Sequence, residues 1–185
     1  MNEEALARHA AEGLEKCLLK LTAVSPGEWR LAGARIYRAT VREALRREER
    51  RAPHCSAIRV KLKGDAPFTT VLLFDPEDSR HISRCFVSDR VAEAAGDGQA
   101  DMAGMEVANI VLNALINALL RAFGRSAASS VPAYFRGDMG AIENWLGAGP
   151  GSFTVISVRF GMHRDGRAAH AEALAFLPPA FTGRP

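Results

Sequence analysis

Between Asp101 and Phe123 apolar residues return every three or four positions without a break. Val107, Val111, Leu112, Leu115, Ala118 and Leu119 share one side of a helical repeat, with an acid near its positive end and Gly124 at its close. A helix this long and apolar on one side needs a broad apolar surface to cover. Its most apolar stretch, Val107 to Leu120, has 14 residues and includes three asparagines, too short and too polar to cross a bilayer. The pattern predicts a core helix, and no membrane partner.

The remaining elements arrange themselves around that helix as a pattern stated twice. Residues 2 to about 22 place Leu6, Ala10, Leu14, Cys17, Leu18 and Leu21 at helical spacing, stopping before Pro26-Gly27. A β-prone run from Trp29 to Tyr37 follows. A charged, surface-facing helix comes next, around Thr40 to Arg51, with EALRREERR on its wet side. Ala57 to Lys63 and Phe68 to Phe74 flank Gly64-Asp65-Ala66-Pro67 as a hairpin, and Glu77 to Val87 has helical spacing. After a loose stretch at Ala92 to Ala100 the long helix begins the series again. It is followed by a strand near Pro132 to Phe135, a helix near Met139 to Leu146, and a hairpin of Phe153 to Phe160 with Ala168 to Leu177 around Asp165-Gly166.

Glu12 to Phe74 thus answers Glu106 to Phe176. One such unit buries its helix poorly alone, so two copies should share a continuous antiparallel sheet packed against long helices. The expected fold class is α+β, a pseudo-two-fold repeat of helix–strand–helix–hairpin units. It makes one domain over residues 1–185, with repeats at about 2–88 and 101–181.

Composition narrows the function. At 185 residues, 48% hydrophobic and 24% charged, the chain can build a real core and is not a disordered one. A balance of 24 Lys+Arg against 21 Asp+Glu is too even for a nucleic-acid footprint, so no nucleic-acid partner is expected. Cys17, Cys55 and Cys85 are odd in number and widely spaced, which fits a reducing compartment, and MNEEALARHAAEGLEK reads as neither secretory signal nor transit peptide. The cytoplasm is the expected location.

On the long helix Glu106, Asn109, Asn113 and Asn117 follow one another by three, four and four residues, and Arg121 extends the line. They form one polar stripe facing outward or into an interface. Asparagine competes for backbone hydrogen bonds, so three of them in a helix cost roughly 1–2 kcal/mol relative to alanine. Two readings of the stripe are open. The amides can satisfy neighbouring chain or water at a half-buried seam, or they can be a working surface.

Asn109 is followed by 22 residues and then Pro132. Glu106-x-x-Asn109 with a proline at that distance, within a helix–strand–helix–hairpin repeat, resembles the CheC, CheX and FliY-type chemotaxis phosphatases over nearly the whole chain. The resemblance implies a phosphatase that docks on a phosphorylated CheY-type response regulator and hydrolyses its aspartyl phosphate. It assigns Asn109 to positioning the attacking water and Glu106 to engaging the regulator's active-site lysine, with Asn113, Asn117 and Pro132 as binding residues. No cofactor is expected on this chain, Mg²⁺ being supplied by the regulator. A homodimer stays open. A neutral carboxamide can orient water without repelling phosphate, whereas a carboxylate aimed there would repel it. Phosphoryl transfer needs mainly positioning and electrostatics, so two side chains inserted into an assembled Mg²⁺ site can suffice.

The chain departs from the family pattern in two places. Met102 stands four positions before Glu106, where an acidic or small hydroxyl residue is preferred, and Asp101 comes one step early. In the first half Glu12-Gly13-Leu14-Glu15 puts Glu15 where the amide is required, and Pro26 comes too soon, so that site should be dead. A non-catalytic interaction module of the same fold, binding a flagellar-switch or signalling partner, is the alternative.

Other motifs point to structure. Gly147 to Gly151 leads into a strand and opens no helix, so a loop is expected, not a phosphate cradle. His81 and Cys85 stand one helical turn apart with no further pair at ligand spacing, and no metal site is expected. Arg46 to Arg51 interleaves glutamates and reads as a solvated face. Ser129-Ser130 lacks a nucleophile-elbow setting and is expected to end a helix or line a turn.

Overall fold

The computed structural model describes residues 3–47, 53–64, 67–88, 97–147, 149 and 151–182. The first half runs as helix α1 (Glu3–Val24), strand β1 (Glu28–Ala39), α2 (Val41–Arg46), β2 (His54–Lys63), β3 (Thr69–Phe74), a 3₁₀ turn at Pro76–Asp78 and α3 (Ser79–Phe86). The second half runs as α4 (Asp97–Ala122), β4 (Ala128–Ser129), β5 (Ala133–Asp138), α5 (Met139–Leu146), β6 (Phe153–Arg164), β7 (Arg167–Leu177) and α6 (Pro179–Thr182). The seven strands make one antiparallel sheet in the order β1-β6-β7-β3-β2, with β5 and the short β4 both pairing along the far edge of β2. Each hairpin therefore has a strand of the other half beside it.

The sheet is covered on both faces, and its sequence alternation shows which residue goes where. Ile58, Val60 and Leu62 of β2, Leu72 and Phe74 of β3, Ile156, Val158, Phe160 and Met162 of β6, and Ala169 to Leu177 in alternate steps of β7 form the larger core with α1, α3 and α4. Their neighbours Ala57, Val71, Leu73, Val155, Leu174 and Phe176 point the other way, into a smaller core under α2 and α5. Because β3 and β7 are buried on both faces, their sequences read as nearly continuous apolar runs.

α4 is the spine of the larger core. Val107, Ala108, Val111, Leu112, Leu115 and Leu119 are at most 1% exposed. The helix ends in a Schellman arrangement: Gly124 has φ +62°, its N–H donates to Arg121 O at 3.1 Å, and the Arg125 N–H donates to Leu120 O at 2.9 Å. Its start differs from expectation. Gly98, a poor helix former, places the predicted start at Asp101, but the helix already runs from Asp97 with Ala100 buried beneath it. The burial of Ala100 favours the longer helix over the local propensity. The segment Ala100–Ala122 is consequently long and apolar enough to span a membrane by composition, unlike the 14-residue stretch considered above, yet 61% of its most apolar window is buried inside the protein.

α2 also differs. Val41, Ala44 and Leu45 are buried, so part of the segment expected on the wet side belongs to the smaller core. It starts with a capping box: the Glu43 N–H donates to Thr40 Oγ1 and the Thr40 N–H donates to Glu43 Oε2 at 2.8 Å. Residues 48–52, the turn residues 65–66 and residues 89–96, which include the first part of the expected loose stretch, lie outside the described residues. The β6–β7 turn has Asp165 at φ +51° and Gly166 at φ +73°, the left-handed pair that a two-residue hairpin demands.

α1 crosses α4 at Gly13, where an added Cβ would lie 2.5 Å from Ala118 Cβ. A leucine at Gly13 gains about 1 kcal/mol in helix propensity. It must also lever the two helices apart, an overpacking that typically costs about 1–3 kcal/mol or more for a large side chain. Gly13→Leu is expected to lower the urea unfolding midpoint; an unchanged or raised midpoint would show that the crossing can open without loss.

Candidate functional site

A step of about 100° per residue places Met102, Glu106, Asn109, Ile110, Asn113, Asn117 and Arg121 within one arc of α4. This arc lies opposite the buried side of the helix, whose core residues hold it rigidly against the sheet. Glu106 and Asn117 are exposed, while Asn109 and Asn113 are half-buried. No ion pair involves Glu106 among the described residues, so its carboxylate faces solvent one helical turn from the Asn109 amide.

The amides are not independent. The Asn113 Nδ2 group donates to the Asn109 backbone oxygen at 2.8 Å and to Asn109 Oδ1 at 2.8 Å. Asn109 keeps both its N–H bonds and one lone pair for a partner or a water. Pro132 is half-buried and sits elsewhere, at the entry to β5, one residue before Ala133 in its register with Arg59 of β2. The helix carries four of the five predicted site residues, and an edge strand carries the fifth.

Two apolar members of the face were not expected from its polar pattern. Met102 is 65% exposed and Ile110 36% exposed, one turn on either side of Glu106. Their positions at i−4 and i+4 from Glu106 were the available clue. They flank the acid with apolar contact area, the composition of a protein-docking surface and not of a small-molecule pocket.

The first-half counterpart is laid out differently. Gly13 packs on Ala118 and the Cys17 thiol lies 4.0 Å from Ile110 O, so α1 runs antiparallel to α4. Glu12 consequently stands near the C-terminal end of α4. There it lines a groove of about 410 Å³ with His9, Lys16 and Arg121. Glu12 and Glu15 are both exposed, and neither has an amide in the Asn109 position.

His81 and Cys85 are both buried, with Cys85 Sγ 3.5 Å from His81 Nε2. Burial pushes the thiol up to about 11, so it carries little thiolate at neutral pH. No group of three or more potential metal ligands occurs among the described residues. Burial also lowers the His81 pKa, helped by Arg167 and opposed by Asp78 and by hydrogen bonds to the Met162 and Arg167 backbone. With its folded pKa below the unfolded value of about 6.5, the unfolded chain binds the proton more tightly. The His81 contribution to stability is therefore present above about pH 6.5 and is lost as the pH falls toward the folded pKa. Urea titrations at about pH 7 and about pH 5.5 should show a smaller acid destabilisation in His81→Gln than in the parent. An equal slope would remove His81 as its source.

The remaining motifs take structural places. Gly147 ends α5 in the left-handed conformation at φ +57°, and the segment from Gly147 to Gly151, of which residues 148 and 150 lie outside the described residues, leads into β6. Arg46 and Arg47 are exposed; residues 48–51 lie outside the described residues. Ser129 and Ser130 line a strand edge, not a helix end: Ser130 Oγ accepts from the Lys61 N–H at 3.0 Å and donates to Val131 O at 2.9 Å. The adjacent β2 edge had free backbone groups to satisfy, and this short pairing meets them.

No sequence-family model matches the chain. No curated protein matches it by sequence either. Solved structures do match it in three dimensions. FliY of Thermotoga maritima superposes with a TM-score of 0.67 at 12% identity, covering 99% of this chain and 94% of FliY. FliM in its complex with SpeE from H. pylori gives 0.63 at 12% identity, covering 97% of this chain and 91% of FliM. CheX of Borrelia burgdorferi, crystallised with CheY, BeF₃ and Mg²⁺, gives 0.54 at 15% identity, covering 92% of this chain and 96% of CheX. At such identities the likeness is one of architecture, and it extends over nearly the full length of each chain: this protein has the CheC/CheX/FliY-type fold.

Proposed function

We propose that this chain is a phosphatase that hydrolyses the aspartyl phosphate of a CheY-type response regulator in chemotaxis signalling. The observation that carries the reading is the Glu106–Asn109 pair, presented one turn apart on a rigid, outward-facing helix between exposed Met102 and Ile110. The Borrelia burgdorferi CheX complex with CheY supports the choice of partner. In the proposed step a water held by Asn109 attacks phosphorus, the bond from phosphorus to the aspartyl oxygen breaks, and inorganic phosphate and the free carboxylate result. Glu106 engages the regulator's lysine, Asn113, Asn117 and Pro132 contribute to docking, and the regulator supplies Mg²⁺. The palindromic strand order supports a duplicated helix–strand–helix–hairpin unit within one domain over residues 1–185, acting in the cytoplasm, alone or as a homodimer.

The test is direct. The chain is mixed with a phosphorylated CheY-type regulator and loss of phosphate is followed; no acceleration over the regulator's own decay would sink the reading. A second reading, a non-catalytic module binding a flagellar-switch or signalling partner, is favoured by the likeness to FliM. It predicts regulator or switch binding with the phosphate lifetime unchanged.

A further inference from the structure

We propose that Asn113 is a positioning residue that locks the Asn109 carboxamide in one of its two orientations, an inference that rests on the phosphatase reading of Asn109. The hydrogen-bond geometry decides the orientation. The Asn109 backbone oxygen can only accept, so the Asn113 atom 2.8 Å from it must be the amide nitrogen. That nitrogen has a second hydrogen, and the Asn109 side-chain atom 2.8 Å away must then be Oδ1. One NH₂ group serves two acceptors, and Asn109 Nδ2 is turned away from Asn113.

A carboxamide torsion is broad and roughly two-fold when nothing restrains it. Oxygen and NH₂ would then exchange places at the exposed end of Asn109, and water would meet the wrong atom part of the time. The lock removes that heterogeneity before any partner arrives, which is how a positioned group avoids reorganising during the reaction. It also accounts for one of the helix-interior asparagines: position 113 needs two donors on one short side chain, at i+4 from the group it holds. Lysine or arginine would bring a positive charge beside the amide, and aspartate would offer acceptors where donors are required.

Asn113→Ala is expected to lower kcat for regulator dephosphorylation about 3–10-fold with a smaller change in KM for the regulator, because Glu106, Asn117 and Pro132 still dock while Asn109 loses its orientation. Asn113→Asp should lower it further, since its carboxylate draws the Asn109 NH₂ inward. In an Asn109→Ala background, Asn113→Ala should have no additional effect. Independently of activity, ¹⁵N relaxation of the Asn109 side-chain NH₂ should show a lower order parameter in Asn113→Ala than in the parent. An unchanged order parameter overturns the lock, as does an unchanged kcat or an equal loss with and without Asn109. A parent protein that leaves the phosphate lifetime unchanged overturns the phosphatase reading instead, and the relaxation measurement still judges the lock.

Discussion

Asn109→Ala is expected to reduce the rate constant for regulator dephosphorylation by about 100-fold or more, the range found when one positioned polar group is removed from a transition state. Its amide is the neutral group one helical turn from Glu106 and can both donate to and accept from a water beside a phosphate. The fold should survive. Asn109 is half-buried, and Asn113 keeps its bond to the backbone oxygen at position 109. Thermal unfolding should therefore change little while catalysis is lost, and regulator binding should persist through Glu106, Met102 and Ile110. Asn109→Asp should be at least as inactive, because the added carboxylate repels the phosphate. If Asn109→Ala retains the acceleration of the parent, the water-positioning mechanism is wrong wherever the partner docks.

Trp29→Ala should have the largest effect on stability, about 3–5 kcal/mol, as for truncation of a large buried aromatic residue. Trp29 is 2% exposed, packs beside Phe160 with ring centroids 6.4 Å apart, and donates its indole N–H to Ser25 Oγ at 2.9 Å. Its backbone N–H donates to Thr22 Oγ1 at 2.8 Å. The residue thus joins the end of α1 to the start of β1 and both to the sheet. Truncation leaves a cavity and strips Ser25 Oγ of its donor. The loss corresponds to roughly 6–20 °C in Tm for a chain of this length, a large part of the 5–15 kcal/mol available to a typical domain. Trp29→Phe should fall between the two, keeping most of the apolar volume but losing the indole bond. A Tm drop of only a degree or two for Trp29→Ala would show that the α1–β1 corner can collapse onto the space.

Elements with strong local patterns were legible residue by residue. Met139–Leu146 is a helix at the expected bounds because Asp138 caps it, its side chain accepting from the Ala141 N–H at 2.8 Å, and Gly147 ends it. The β6–β7 hairpin follows from Asp165-Gly166, where φ must be positive. The early start of α4, by contrast, runs through Gly98 against local propensity. The burial of Ala44 and Leu45 in α2 was hidden by the charges around them. In each case packing outweighed the local preference.

The candidate site divides along the same line. Spacing on a helix is local geometry, so the sequence alone determined that Glu106, Asn109, Asn113 and Asn117 share one face and that the apolar side of the helix must be covered. Whether that face is free, which apolar neighbours frame it, and how one amide holds another depend on what packs against the helix and on side-chain torsions. The tertiary structure alone decided that the sheet and α1 cover the apolar side and leave Glu106 in solvent. It also decided that Asn113 turns toward Asn109, and that the Glu12 groove lies at the opposite end of α4 because the two helices cross antiparallel at Gly13. The Asn113 orientation is a side-chain torsion that helical spacing leaves open, and the other outcomes come from contacts between residues far apart in the chain, whose energies no local window contains.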